Sequence, residues 1–494
     1  MEFEGDYYAI LDVPPDADER TIKQAYHQLA RRYHPDVSDE EQATERFREI
    51  QEAYELLLDP LQREAYDHWR EEQGLDRPLP LVLRVTPSQQ VLPCLGETQA
   101  LYILVELSAS AEAEAQRLPL NLCLVLDRST SMKGRRLQQA KEAARYVVDQ
   151  MEADDVLSLV AFSDRAQLVL TGRRGMDKAA ARAAIGSMQG QGGTEILQGL
   201  KLGIQEIERW HSTDRLSHLI LLTDGQTYGD EEGCLEMARL AGEQGFSLSL
   251  MGIGSDWNDR LLDEMARLSG APDASIYIDS TAKIAKTFQK RFHSLGNIFA
   301  HSVTLSIHLG EGVSLKEIFR VSPQIDKLFL TDEKVFLSAL EKQHPQLIML
   351  ELLIACRNPG THRLLQVAVE GVVPTIGSQP VRARQAVVME FHCNLNQRSP
   401  IPPDIVSAMG KLTIFKMQEH AMKEIELGQI ESAVTQLKTM ATRLLDIGEA
   451  ELARAALLEA SRLARTGTLS ATGRKKIRYG TRQLTILPKE VRHD

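Results

Sequence analysis

The segment Asp127-Arg128-Ser129-Thr130-Ser131 places a carboxylate and two serine hydroxyls at alternate positions, directly after the apolar run at 122–126. A second carboxylate, Asp224, follows the apolar run at 219–222 within Thr223-Asp224-Gly225, and Thr194 closes the flexible stretch Gly190-Gln191-Gly192-Gly193. Two carboxylates and three hydroxyls, with no thiolate or imidazole among them, form a hard-oxygen set suited to Mg²⁺, Mn²⁺ or Ca²⁺. A different chemistry is offered near the start of the chain, where His34-Pro35-Asp36 follows Arg31-Arg32-Tyr33. An imidazole and a carboxylate fixed in a loop serve recognition of a partner rather than catalysis. Lys23, His27 and Arg31 recur every four residues, so on a helix they form one basic strip.

Such groups act only if rigid elements hold them. Ile22, Tyr26, Leu29 and Tyr33 fall at helical spacing, as do Phe47, Ile50, Tyr54 and Leu57. Pro35 stops the first of these helices, because its ring disfavours the α conformation in the residue before it. The first 70 residues therefore read as an antiparallel helical hairpin plus a short third helix at 61–70, followed by a linker, GLDRPLP. Short β-prone runs at 81–85 and 101–107 come next. From 120 to 296, apolar runs at 122–126, 156–162, 219–222, 248–253 and 275–278 alternate with helical stretches, as in a doubly wound, mostly parallel sheet covered on both faces. Acids just past the carboxyl ends of such strands face the crevice where these sheets bind ligands. Residues 301–393 return to strands, so one antiparallel β-sandwich interrupted by the α/β domain is expected. Pro400, Pro402 and Pro403 then introduce a helical stretch to about Leu484, with Gly428, Gly448 and Gly467 at expected helix ends. The expected domains are a helical unit at 1–70, a linker at 71–80, sandwich at 81–117, α/β domain at 118–296, sandwich again at 297–396, and a bundle of three or four helices at 397–494.

Composition narrows the functional classes. With 43% hydrophobic and 26% charged residues, the chain is ordinary globular protein and neither collagen-like nor wholly disordered. No apolar run approaches the roughly 20 residues needed to span a bilayer. Residues 1–6 are acidic and lack an apolar core, so no secretory signal is expected and the expected location is the cytoplasm. Cys94, Cys123, Cys234, Cys356 and Cys393 stand singly and read as reduced core residues, not as a zinc site or disulfide frame. The net charge of −12 argues against general nucleic-acid binding.

The arrangement around His34-Pro35-Asp36, with Asp6-Tyr7-Tyr8-Ala9-Ile10-Leu11 before it and Arg63-Glu64-Ala65-Tyr66-Asp67 after it, resembles the J domain of Hsp70 co-chaperones over residues 5–68. That resemblance implies that Lys23, Tyr26, His27, Arg31, His34, Pro35 and Asp36 take part in docking on a DnaK-type Hsp70. The chain has no Gly/Phe-rich segment after residue 70 and no cysteine-repeat module, so it resembles the specialised J proteins, in which a different module does the targeting. Residues 118–290 resemble the von Willebrand factor A (VWA) domain with its metal-ion-dependent adhesion site. The resemblance implies that Asp127, Ser129, Ser131, Thr194 and Asp224 bind a divalent cation, Mg²⁺ foremost. With few charged ligands, the ion would keep a position open for an acidic residue of a partner.

Gly252-Ile253-Gly254-Ser255 is neither a dinucleotide fingerprint nor a nucleophile elbow, and no phosphate loop is present, so ATP use by this chain is not expected. The Arg474-Lys475-Lys476-Ile477-Arg478 cluster reads as a solvated helix face or as a surface docked on acids of the same protein. The expected function is a specialised J-domain co-chaperone, not an enzyme, that stimulates Hsp70 ATPase and is targeted to a protein client or scaffold by a cation-dependent VWA domain. The alternative is a VWA adhesion or assembly scaffold with a regulatory J domain, and a metal-dependent hydrolase ranks third.

Overall fold

The computed structural model describes residues 7–11, 13, 17, 19–33, 43–72, 80–110, 117–212, 215–227, 229–270, 275–331, 333–374, 376, 380–392 and 400–484. They form two units, Met1–Pro78 and Leu79–Asp494. Among the described residues, no helix is long and apolar enough to cross a membrane.

The first unit contains α1 (Tyr7–Ile10), α2 (Glu19–Arg32), α3 (Ala43–Leu58) and α4 (Pro60–Glu72). Ile22 of α2 and Ile50, Ala53 and Leu57 of α3 meet in its core, and the Tyr26 and Tyr54 rings stack with centroids 3.8 Å apart. Helix α4 starts at a proline, where a missing N–H costs nothing, and Asp59 Oδ1 caps it by accepting from the Leu61 and Gln62 amides at 2.9 and 3.2 Å. Its Tyr66 is fully buried, and the hydroxyl accepts from the Tyr7 amide at 2.8 Å.

The second unit opens with β1 (Leu81–Pro87), β2 (Val91–Pro93) and β3 (Gln99–Ala109). The chain then builds a three-layer α/β domain: β4 (Leu120–Asp127), α5 (Arg135–Gln150), β5 (Val156–Phe162), β6 (Ala166–Leu170), α6 (Lys178–Ser187), α7 (Ile196–Glu208), β7 (Leu216–Thr223), α8 (Glu231–Glu243), β8 (Ser247–Ile253), α9 (Asp259–Leu268), β9 (Ser275–Ile278) and α10 (Ile284–Gly296). The sheet order is β6-β5-β4-β7-β8-β9, parallel except for the edge strand β6. Every residue of β4 and β5 is buried, as expected of strands covered by helices on both faces. Helix α7 lies unusually close to the sheet: a Cβ on Gly199 would stand 2.8 Å from the Phe162 ring, and one on Gly203 2.6 Å from Val125 Cγ2.

Strands β10 (Ile298–Leu309), β11 (Val313–Ser322), β12 (Asp326–Leu328), β13 (Lys334–Glu341), β14 (Gln346–Ile354), β15 (Gly360–Val372) and β16 (Pro380–His392) complete the sandwich. Its two sheets run β1-β3-β14-β11-β12 and β13-β10-β15-β16-β2, antiparallel except for the short β2–β16 pair. Helices α11 (Pro403–Glu426), α12 (Ile430–Asp446), α13 (Ala450–Thr466) and α14 (Ala471–Arg482) follow. They share a core with the outer face of the first sheet, where Leu104, Phe319, Leu347 and Met349 meet Leu412 and Phe415. One sequence expectation needs correction: Cys123 and Cys234 are core thiols, but Cys356 lies beyond the end of β14 and is exposed, and Cys94 is half-buried. Cys393 lies outside the described residues.

Candidate functional site

Adjacent parallel strands put their ends side by side, and β4 pairs with β7 so that Leu126 stands beside Leu222. Asp127, the last residue of β4, and Asp224, just past β7, are thereby brought together and buried. Asp127 Oδ1 accepts from the Ser129 amide at 2.7 Å, and its Oδ2 accepts from the Thr223 hydroxyl at 2.7 Å. The Ser129 and Ser131 hydroxyls lie 2.9 Å apart, and Ser131 donates onward to Asp224 Oδ1 at 2.7 Å. Arg136 Nη1 pairs with the other oxygen of Asp224. Thr194 reaches the same corner from its own loop: a Cβ on Gly225 would stand 2.9 Å from the Thr194 hydroxyl. The structure therefore gathers all five residues singled out in the sequence.

The loops that carry them are laced together by backbone. The Gly192 carbonyl accepts from both the amide and the hydroxyl of Thr130 at 3.0 Å, and the Gln191 amide donates to the Arg128 carbonyl at 2.7 Å. Gly192 has φ +75°, where a side chain is strained, and a Cβ there would lie 2.3 Å from Asp164 Oδ2 and push that carboxylate aside. Asp164 Oδ1 in turn holds the Gly193 amide at 2.7 Å. The first turn of α7, which follows Thr194, gets no cap from its own N-cap residue, Glu195. Thr227 and Asp230 supply one from the segment after Asp224, accepting from the Ile196 and Leu197 amides at 3.2 and 3.1 Å. Asp164, Arg136, Thr227 and Asp230 escaped the sequence reading. No motif or period in the sequence marks any of the four, since each bonds to a loop distant in the chain.

Burial pushes the Asp127 carboxyl up to about 6; the bonds from Thr223 and Ser129 resist this, and the charge of Asp224 adds to it. A carboxylate so poorly solvated gains from a cation. Among the described residues, no group of three or more His, Cys, Asp or Glu is placed to hold a metal. A cation here would depend on the two carboxylates and the neighbouring hydroxyls together, a donor chemistry that fits Mg²⁺, Mn²⁺ or Ca²⁺.

In the first unit, Glu19, Arg20, Lys23, Gln24 and His27 line a shallow open groove on α2. Lys23 and His27 are exposed there, Lys23 being paired with Glu19 one turn earlier, and Tyr26 is half-buried against Tyr54. Arg31 belongs to α2, but its side chain lies outside the described residues, as do His34, Pro35 and Asp36.

Comparison with known proteins agrees with this division. Residues 6–67 match the family model of the DnaJ domain, residues 121–291 that of the von Willebrand factor type A domain, and residues 403–486 that of the Sll0103-like C-terminal alpha-helical domain. A curved DNA-binding protein of Pseudomonas syringae is 53% identical over 78 residues, which are 16% of this chain and 24% of that protein. A solved von Willebrand factor type A protein from Catenulispora acidiphila superposes with TM-score 0.68 at 15% identity, over 84% of this chain and 99% of its own, and so shares the fold. The uncharacterized protein sll0103 of Synechocystis sp. is 30% identical over 399 residues, 79% of this chain and 94% of its own length. The chain belongs to the family of that cyanobacterial protein, with a von Willebrand factor A domain and a C-terminal helical domain, and it carries a DnaJ domain in addition.

Proposed function

We propose that this chain is a specialised J-domain co-chaperone. Its DnaJ domain stimulates ATP hydrolysis by a DnaK-type Hsp70, and its VWA domain, loaded with a divalent cation, brings that activity to a protein client or scaffold that offers an acidic side chain. The observation that carries this reading is the union in one chain of a DnaJ domain with five oxygen-bearing residues gathered where β4 and β7 end. Asp127, Ser129, Ser131, Thr194 and Asp224 would hold the ion, with Mg²⁺ foremost and Mn²⁺ or Ca²⁺ as alternatives. Bound there, the ion supplies an electrophilic position for the partner's carboxylate. The chain's own residues do the rest: Ser131 orients Asp224, Thr223 orients Asp127, and the Thr130–Gly192 bonds keep the two loops in register. On this reading the chain acts by binding and not by catalysis, and works in the cytoplasm, where separated thiols stay reduced.

The Hsp70 half is tested by single-turnover ATPase of a DnaK-type Hsp70 with the whole chain. Stimulation by the wild type that is lost in His34→Gln supports the proposal; equal rates with the two proteins contradict it. A second reading, an assembly scaffold whose DnaJ domain is regulatory, draws on the match to the cyanobacterial relative, which covers 94% of that protein and leaves about a fifth of this chain outside it. Under that reading the VWA domain would bind its partner fully while Hsp70 stimulation is absent.

A further inference from the structure

The C-terminal helix α14 is docked on the α/β domain by a ladder of charges. Arg474, Arg478 and Arg482 are four residues apart, and so are Asp259 and Asp263 on α9. Arg474 and Arg478 each donate to Asp259 at 2.9 Å, and Arg478 and Arg482 reach Asp263 at 2.7 and 3.0 Å. Arg474 and Arg478 of the basic cluster therefore face acids of the same molecule.

Lys475, between them, does something else. It is 1% exposed, and its Nζ donates to the carbonyls of Ser255 and Trp257 at 2.8 and 2.6 Å while lying 4.0 Å above the Trp257 ring. Burial pulls its pKa down to about 8, against the charge of Asp259; Arg474 lowers it further and Asp256 raises it. A buried ammonium is a costly way merely to fill space, since an apolar side chain of similar volume does that better. The loop it holds leaves β8 at the same end of the sheet as Asp127 and Asp224. Trp257 Nε1 donates to the Gly254 carbonyl at 2.9 Å, and a Cβ on Gly254 would stand 3.5 Å from Arg136 Nη2. Arg136 is the residue paired with Asp224. The 254–257 loop, held by Lys475 from α14, therefore borders Arg136, which is paired with a candidate cation ligand.

We propose that Lys475 is a positioning residue of the cation site: by holding the 254–257 loop it keeps Arg136 against Asp224, so the docked C-terminal helix sets how readily Asp224 is released to a divalent cation. This rests on the cation-site reading above. A guanidinium held beside a ligand carboxylate opposes a second positive charge there, and loosening it frees the carboxylate. By reciprocity, cation uptake weakens the docking of α14.

The test is a calorimetric Mn²⁺ titration of the whole chain as wild type, Lys475→Met, Arg136→Gln and the double variant. Each single change is expected to tighten Mn²⁺ binding about fivefold or more, and Lys475→Met is expected to add nothing in the Arg136→Gln background, since it acts through that residue. If Lys475→Met does not fold, the pair Arg474→Gln and Arg478→Gln loosens the same helix from the α9 side and is expected to give the same gain. Wild-type uptake with unchanged affinity in the variants that loosen α14, or independent effects of Lys475→Met and Arg136→Gln, overturns the role of Lys475 alone. No uptake by the wild type overturns the cation reading and this inference with it.

Discussion

The Thr223 hydroxyl donates to Asp127 Oδ2 at 2.7 Å, so the strand that leads to one candidate ligand also fixes the carboxylate of the other. Both side chains are fully buried. Thr223→Val keeps the shape and removes the donor, which leaves a buried oxygen unpaired at a cost of about 1–3 kcal/mol. Denaturant unfolding in the presence of chelator should show that loss, and Thr223→Ser should largely restore stability. A valine variant as stable as the wild type would mean that the bond does not hold Asp127.

The same carboxyl gives the fold a pH signature. Its folded pKa of about 6 lies above the ordinary 3.8, so the folded chain binds this proton more tightly than the unfolded one. The resulting stability is full below about pH 3.8 and is lost as pH rises through about 6. In chelator the Asp127 contribution should therefore shrink across that window, and Asp127→Asn should remove its share of the slope. Cation binding competes with the same proton, so affinity should rise over the same range. Thermal scans at several pH values check the first point, and a slope unchanged in Asp127→Asn would contradict it.

Gly203 lets α7 approach the sheet, with Val125 Cγ2 2.6 Å and Leu219 Cδ1 2.9 Å from where a Cβ would stand. Gly203→Ala should destabilise by about 1–3 kcal/mol through overpacking and, by shifting the helix that follows Thr194, weaken cation binding. Gly410, exposed within α11 with nothing within 4 Å of its Cβ position, is the control. Gly410→Ala should stabilise by about 0.5–1 kcal/mol. Equal effects of the two changes in urea unfolding would contradict the close approach of α7.

Asp263 receives Arg478 and Arg482 in a nearly buried setting. Burial raises its pKa, but the charges of Arg482 and Arg478 more than offset this and hold the carboxyl below its ordinary value. Asp263→Ala takes away the carboxylate that Arg482 donates to, while Arg478 keeps Asp259 at 2.9 Å, and should cost about 3–5 kcal/mol. A loss under about 1 kcal/mol in urea unfolding would show that the ladder is not a structural bond between α14 and α9.

The candidate site was legible where chemistry coincided with the end of a strand. Asp127 and Asp224 each follow a run of apolar residues that marks a strand covered on both faces, and Thr194 follows glycines that no regular element would carry. Asp164, Arg136, Thr227 and Asp230 were not legible, because each acts on a loop distant in sequence and no period marks such a contact. The ladder on α14 was half legible: its basic spacing showed, but the acids opposite lie about 215 residues away. Strand β14 held an unread clue. Its run QLIMLELLI is buried almost throughout, which in an antiparallel sheet requires a second cover, here the C-terminal helices.

A calorimetric titration of the whole chain with Mg²⁺ and with Mn²⁺, wild type beside Asp127→Ala, tests the central claim most directly. Asp127→Ala removes a charged ligand at the loop end of the sheet, so uptake should be strongly weakened while Hsp70 stimulation is kept. Saturable uptake by the wild type and its loss in the variant is the predicted result. No uptake by the wild type at millimolar concentration, or equal uptake by both proteins, would contradict it and leave the α/β domain as a metal-free scaffold.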